Sequence, residues 1–232
     1  MALFGWRVAG WCPHCRNLLD RSPDRQRATL VGGLPCADTA PMSDTSFLTG
    51  HLLIAMPAMQ DPNFHRTVTY ICEHSEQGAL GIVINRPLDL DLGSVFEQLS
   101  LNPADPSLAQ QPVLQGGPVH QERGFVLHQV EDTAEQDFDA TLAVTDAIRV
   151  TTSQDILTAM AKGQGPRRVI VALGYAGWGP GQLEQEMAQN AWLSVPAAPR
   201  IIFDTPFEQR WQQSARLLGI DMSMISSEAG HA

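Results

Sequence analysis

Lysine is almost absent from this chain: of 232 residues only Lys162 is one, and the remaining basic residues are arginines. That scarcity works against a nucleic-acid face, which needs clustered cations to neutralise phosphates. Residues 1–41 hold five Arg against three acids, +2, while the other 191 hold ten basic against 22 acidic residues, −12, which together give the stated −10. Direct binding of nucleic acid by the main body is therefore not expected. Long apolar runs are missing too, since no stretch approaches the roughly 18 consecutive residues of a membrane span. The N-terminus also lacks an uninterrupted apolar run followed by a small-residue cleavage site. The chain reads as soluble and cytoplasmic, with no membrane partner. Cysteine is scarce beyond residue 41, where only Cys72 occurs, a distribution that argues against a secreted disulfide framework.

Residues 1–41 lack sustained periodicity and are rich in Arg, Pro and Gly, so they read as a disordered N-terminal extension, with Met42 the expected natural start and residues 42–232 the domain proper. Trp11-Cys12-Pro13-His14-Cys15 has the spacing of a redox pair but no βαβ context. Cys12, Cys15, Cys36 and His14 could form a zinc site, yet a second Cys-x-x-Cys pair is missing. Elsewhere His51, His65, His74, His120 and His128 show no metal-ligand spacing. The expectation is therefore no metal and no cofactor.

Past Gly50 the pattern turns strand-rich. Leu52–Met56, Val68–Cys72, Leu80–Ile84, Phe125–Leu127 and Val169–Leu173 are short apolar runs bounded by Gly, Pro, Asn or His, the mark of strands buried on both faces. Weaker strands are expected at Leu142–Val144, Ile148–Val150, Trp192–Val195 and Ile201–Phe203. Helices are expected from about Leu92 to Leu99, from Thr152 and Asp155 to Gly163, from Pro180, and from a Thr205–Glu208 capping box to Gly219. Residues Asn102 to Pro112, with three prolines and no period, read as a surface loop. Strands alternating with helices imply one α/β domain with a mixed sheet covered by helices.

Polar residues gather at the ends of these strands. Asp61, Arg66, Glu73, His74, Asn85 and Arg86 follow or close apolar runs, and Trp178, Gln182 and Glu184 lie at a glycine-rich strand-to-helix turn. Rigid strand ends hold such groups against ligands, so these nine are the candidate ligand-binding residues. Each also has a structural reading. Asp61-Pro62 initiates turns, Arg86 could pair with a carboxylate, and Glu73 and His74 point to opposite faces while the strand persists. Cys72 shares a face with His74, but a cysteine in an apolar strand is normally inert. Arg66 and Arg86 would make a pocket shared with Trp178 locally positive, suited to a small anionic ligand or an acidic protein segment.

Two segments, Gly50-His-Leu-Leu-Ile-Ala-Met-Pro-Ala-Met-Gln-Asp-Pro-Asn-Phe-His-Arg through Asn85-Arg86-Pro87 and Gly174-Tyr-Ala-Gly-Trp-Gly-Pro-Gly-Gln-Leu-Glu184, resemble the AlgH/YqgE family. The resemblance implies a compact α/β fold with a bent, mixed, partly barrel-like sheet surrounded by helices. It also implies a loose label as a transcriptional regulator and no assigned reaction. With no helix-turn-helix in view, the expected route is a regulatory or ligand-responsive role through a protein partner or small ligand. The alternative is an enzyme with a polar site around Arg66, Glu73, His74 and Arg86.

Overall fold

Period-2 burial organises the molecule. The computed structural model describes residues 47–130 and 138–224, so the expected extension over residues 1–41, with Cys12, His14, Cys15 and Cys36, lies outside the described residues. In strand β1 (His51–Ala55) Leu52 and Ile54 enter one apolar cluster while Leu53 and Ala55 enter another. Strand β2 (Val68–Ser75) repeats this, with Val68, Tyr70 and Cys72 on one side and Ile71 on the other. Both faces are thus covered, which is why these runs look uniformly apolar rather than alternating.

The sheet continues through β3 (Gly78–Val83), β4 (Pro87–Asp91), β5 (Pro112–Gln115), β6 (Val119–Gln129), β7 (Thr141–Ala143), β8 (Ile148–Thr151), β9 (Val169–Trp178) and β10 (Trp192–Pro196). Its order is β10-β1-β2-β3-β9-β6-β8-β7, with β5 beside β9 and β4 beside β5. All pairings are antiparallel except β5 with β9. The sheet curls into a half-barrel within a mixed α/β domain.

Strand β9 joins the parts. Ile170 and Ala172 face one cluster and Val171 a second, but beyond Gly174 it is Ala176 and Trp178 that face the third. Gly174, at φ +74°, shifts the phase of the strand there, a backbone state that glycine adopts without penalty. A Cβ on Gly116 would run into the Gly174 carbonyl, and one on Gly117 into the Tyr175 backbone. The Gly116-Gly117 turn is therefore a crossing of two backbones.

Six α-helices occur among the described residues: α1 (Leu92–Gln98), α2 (Pro106–Ala109), α3 (Asp155–Ala161), α4 (Gln182–Ala188), α5 (Pro199–Phe203) and α6 (Phe207–Arg216). Asp91 caps α1 by accepting the Ser94 N–H at 2.8 Å. Four expectations need correction. Ile201–Phe203 is helical, because Pro199 starts a turn that puts Ile201 and Ile202 against the core, and a three-residue apolar run carries no readable period. The expected loop from Asn102 to Pro112 contains α2 and ends at β5, and β4 and β5 were not foreseen. Helix α4 starts at Gln182 rather than Pro180, after Gly181 in a left-handed conformation. The Thr205–Glu208 capping box does not form, because the Thr205 hydroxyl donates to the Arg200 carbonyl instead.

Candidate functional site

The first group of candidate residues encloses the loop from Met56 to Thr67. Asp61 Oδ1 accepts the Asn63 backbone N–H at 2.8 Å, the expected turn. Asn85 Oδ1 accepts the Val68 N–H and its Nδ2 donates to the Arg66 carbonyl. Arg86 donates from Nη1 to the Pro62 carbonyl at 2.7 Å and from Nη2 to the His65 carbonyl at 3.0 Å. Burial lowers the Arg86 guanidinium below its usual range, and the Asp61 charge partly offsets this. Arg66, at φ +55°, sets its guanidinium 5.4 Å from the Trp211 ring centre. Asn85 and Arg86 thus hold carbonyls of the loop rather than facing open solvent.

The second group surrounds α4. His74 is buried at the end of β2; its Nδ1 accepts the Leu48 N–H at 2.9 Å and its Nε2 lies 2.8 Å from Glu184 Oε1. Because Nδ1 is an acceptor, the proton sits on Nε2 and is donated to Glu184. A general base needs a free lone pair, and this imidazole has given its own to Leu48. Glu73 is half-buried beside a bulge in the β2–β3 pairing. Trp178, only 6% exposed, donates from Nε1 to Glu186 Oε2 at 2.9 Å, and Trp192 donates to the same oxygen at 2.8 Å. Gln182 donates to Glu186 Oε1 and accepts the Gly179 N–H.

Phe64 links the groups: its ring is 6.2 Å from Trp178 and 5.5 Å from Trp192. Loop and α4 therefore share one apolar cluster, with polar groups tied off at its edges. Cys72 is 1% exposed, and burial, with Glu73 adding to it, pushes its thiol far above the usual range. No group of three or more His, Cys, Asp or Glu side chains among the described residues could hold a metal ion.

Sequence reasoning missed a second region. A groove of about 310 Å³ opens between the start of β9 and the α5–α6 corner, lined among others by Leu92, Arg167, Arg168, Phe203, Phe207 and Arg210. Arg168 bridges to Asp204 at 3.2 Å. Arg210 is 3% exposed: its Nε donates to the Thr205 carbonyl, its Nη1 to the Ile84 carbonyl, and its guanidinium lies 4.4 Å from the Phe207 ring centre. No carboxylate among the described residues forms an ion pair with it. Burial lowers its pKa to about 10, with Glu208 acting the other way. The signal was present in the helical period: Arg210 falls three residues after Phe207 and one before Trp211, on the inward stripe of α6.

Residues 52–223 match the family model described as AlgH-like. A "UPF0301 protein" of Thiobacillus denitrificans is 56% identical over 185 residues, covering 80% of this chain and 97% of that one. Another from Variovorax paradoxus is 51% identical over 201 residues, covering 84% and 99%. The solution structure of the AlgH protein from Pseudomonas aeruginosa superposes with a TM-score of 0.64 at 46% identity, covering 85% of this chain and all of that one. On the family match and these identities, with the half-barrel sheet in common, the chain belongs to the AlgH-like family.

Proposed function

We propose that this protein is a cytoplasmic, ligand-responsive regulatory protein that works through a small anionic ligand or a protein partner, without contacting DNA itself. The observation that carries this reading is the groove beside Arg210: a recess of ligand size lined by a buried cation with which no carboxylate among the described residues forms an ion pair. Buried charges are normally paired, so an anion from outside is the natural complement. The −12 balance of residues 42–232 and the single Lys162 argue against a phosphate-tracking surface. No helix among the described residues is long and apolar enough to cross a membrane.

The enzyme reading around Arg66, Glu73, His74 and Arg86 draws support from the His74–Glu184 contact, which resembles an oriented imidazole. Against it stands the Leu48 N–H on Nδ1, which leaves that ring no acceptor for a substrate proton.

The test is to purify the full chain from its native cytoplasm, denature it, and identify released small molecules by mass spectrometry. One organic anion in near-stoichiometric amount is expected, and no mobility shift of duplex DNA at about 50 mM salt. Saturable DNA binding with no retained small molecule would sink the reading.

A further inference from the structure

The ligand reading can be taken to a chemical class. We propose that the groove at the start of β9 binds a small organic carboxylate, its head group on Arg210 and its apolar body along Leu92, Phe203 and Phe207. The proposal rests on the ligand-responsive reading and sharpens it.

Three observations carry it. The first is the valence of the guanidinium: with Nε on the Thr205 carbonyl and Nη1 on the Ile84 carbonyl, Nη2 carries no hydrogen bond to the described protein. A planar carboxylate matches the Nη1–Nη2 end of such a fork, where the Nη2 hydrogens are unused. The second is charge. Arg168 is bridged to Asp204, whereas Arg210 lines the groove with no ion-pair partner among the described residues. A buried guanidinium at the wall of the groove selects for an anion and disfavours a cation. The third is the composition of the walls, where two phenylalanines and a leucine face the same space as the arginines. An ion with no apolar body would leave that surface wet. At about 310 Å³ the recess lies at the small end of the range for ligand sites, which fits a short-chain or single-ring acid.

The fold makes the site stiff. Ile84 lies just beyond the end of β3, Thr205 in the corner between α5 and α6, and Arg210 fastens the two. A ligand on Nη2 therefore contacts a residue that already joins sheet to helix pair, and binding there stabilises that junction.

The experiment is calorimetric titration of the full chain, near neutral pH, with hexanoate, hexanamide and inorganic phosphate as probes. Hexanoate is expected to bind saturably at one site. Hexanamide, equal in shape but uncharged, should bind about tenfold more weakly or worse, the loss expected for one charge-assisted contact. Arg210→Met should abolish the difference between the two, and Arg210→Lys should restore part of it. The hexanoate–hexanamide comparison uses only the wild type, so a variant that fails to fold does not remove the test. Equal binding of the two probes overturns the anchor, and phosphate competing more tightly than hexanoate overturns the carboxylate class. If no hexanoate binds yet a small molecule is recovered from the cell-purified protein, the site assignment fails and the ligand reading stands. If neither is found, both fail.

Discussion

Arg86 and Arg210 are both arginines that grip backbone carbonyls, yet the regions they serve differ in one respect. In the Arg86 region both terminal guanidinium nitrogens donate to carbonyls, Glu184 takes His74, and Glu186 takes two indoles. Around Arg210 two carbonyls are met and Glu208 acts on the charge through space, but Nη2 has no hydrogen-bond partner among the described residues and the guanidinium lines a groove. A polar cluster at strand ends is thus no guide to a ligand by itself. What distinguishes a brace from a binding site is whether a donor facing a groove is left without a protein partner.

The comparison can be broken most forcefully at Trp178. Trp178→Ala removes the centre of the Phe64–Trp178–Trp192 cluster and is expected to cost about 3–5 kcal/mol, measured by urea unfolding, because a large buried ring leaves a cavity. Hexanoate affinity of the folded fraction should stay within about twofold of wild type. A large loss of affinity would join the two regions that the account separates.

Acid provides a control outside both regions. His128 is buried and donates through Nε2 to Thr151 Oγ1, whose proton goes to Thr141, whose own goes to the Phe138 carbonyl. Burial first, and Arg149 second, lower its pKa from 6.5 to about 4. The unfolded chain therefore binds the proton at higher pH than the folded one. Stability from this group is full above pH 6.5 and falls as pH drops towards about 4, by about 3 kcal/mol in total. His128→Gln should flatten that part of the pH–stability curve, and an unchanged slope would contradict the assignment.

Smaller effects sharpen the brace itself. His74→Ala leaves the Leu48 N–H without its acceptor and frees Glu184, for an expected loss of about 2 kcal/mol. Arg86→Ala touches half-buried contacts to Pro62 and His65 and should cost about 1 kcal/mol, seen chiefly as faster amide exchange between residues 61 and 67. If Arg86→Ala instead weakens hexanoate binding with stability unchanged, the loop is the binding site.

How much of this was legible beforehand depends on the kind of signal. Two-sided burial in Leu52–Ala55 and Val68–Cys72 shows directly as unbroken apolar runs, and the motifs from Gly50 to Pro87 and Gly174 to Glu184 carried the family. Strand β4 was written in the alternation of Leu88 and Leu90, but Pro87 at its start and α1 directly after it hid the pattern. The partners of Arg86 were not legible, because carbonyl oxygens 21 and 24 residues away leave no mark on side-chain identity. Arg210 was visible as a cation on an apolar helical stripe. That its Nη2 finds no partner among the described residues was not, since that depends on every element packed around α6.

The unpartnered Nη2 of Arg210, rather than the polar cluster at the strand ends, is proposed to mark the binding site. Titrating uniformly 15N-labelled full chain with hexanoate while following backbone amide shifts tests it in one experiment. Saturable shifts are expected at residues 92, 111, 167–171 and the non-proline residues of 203–210, with residues 61–66 and 178–186 unmoved. Shifts centred on 61–66 and 178–186, or none anywhere at saturating probe, would contradict it.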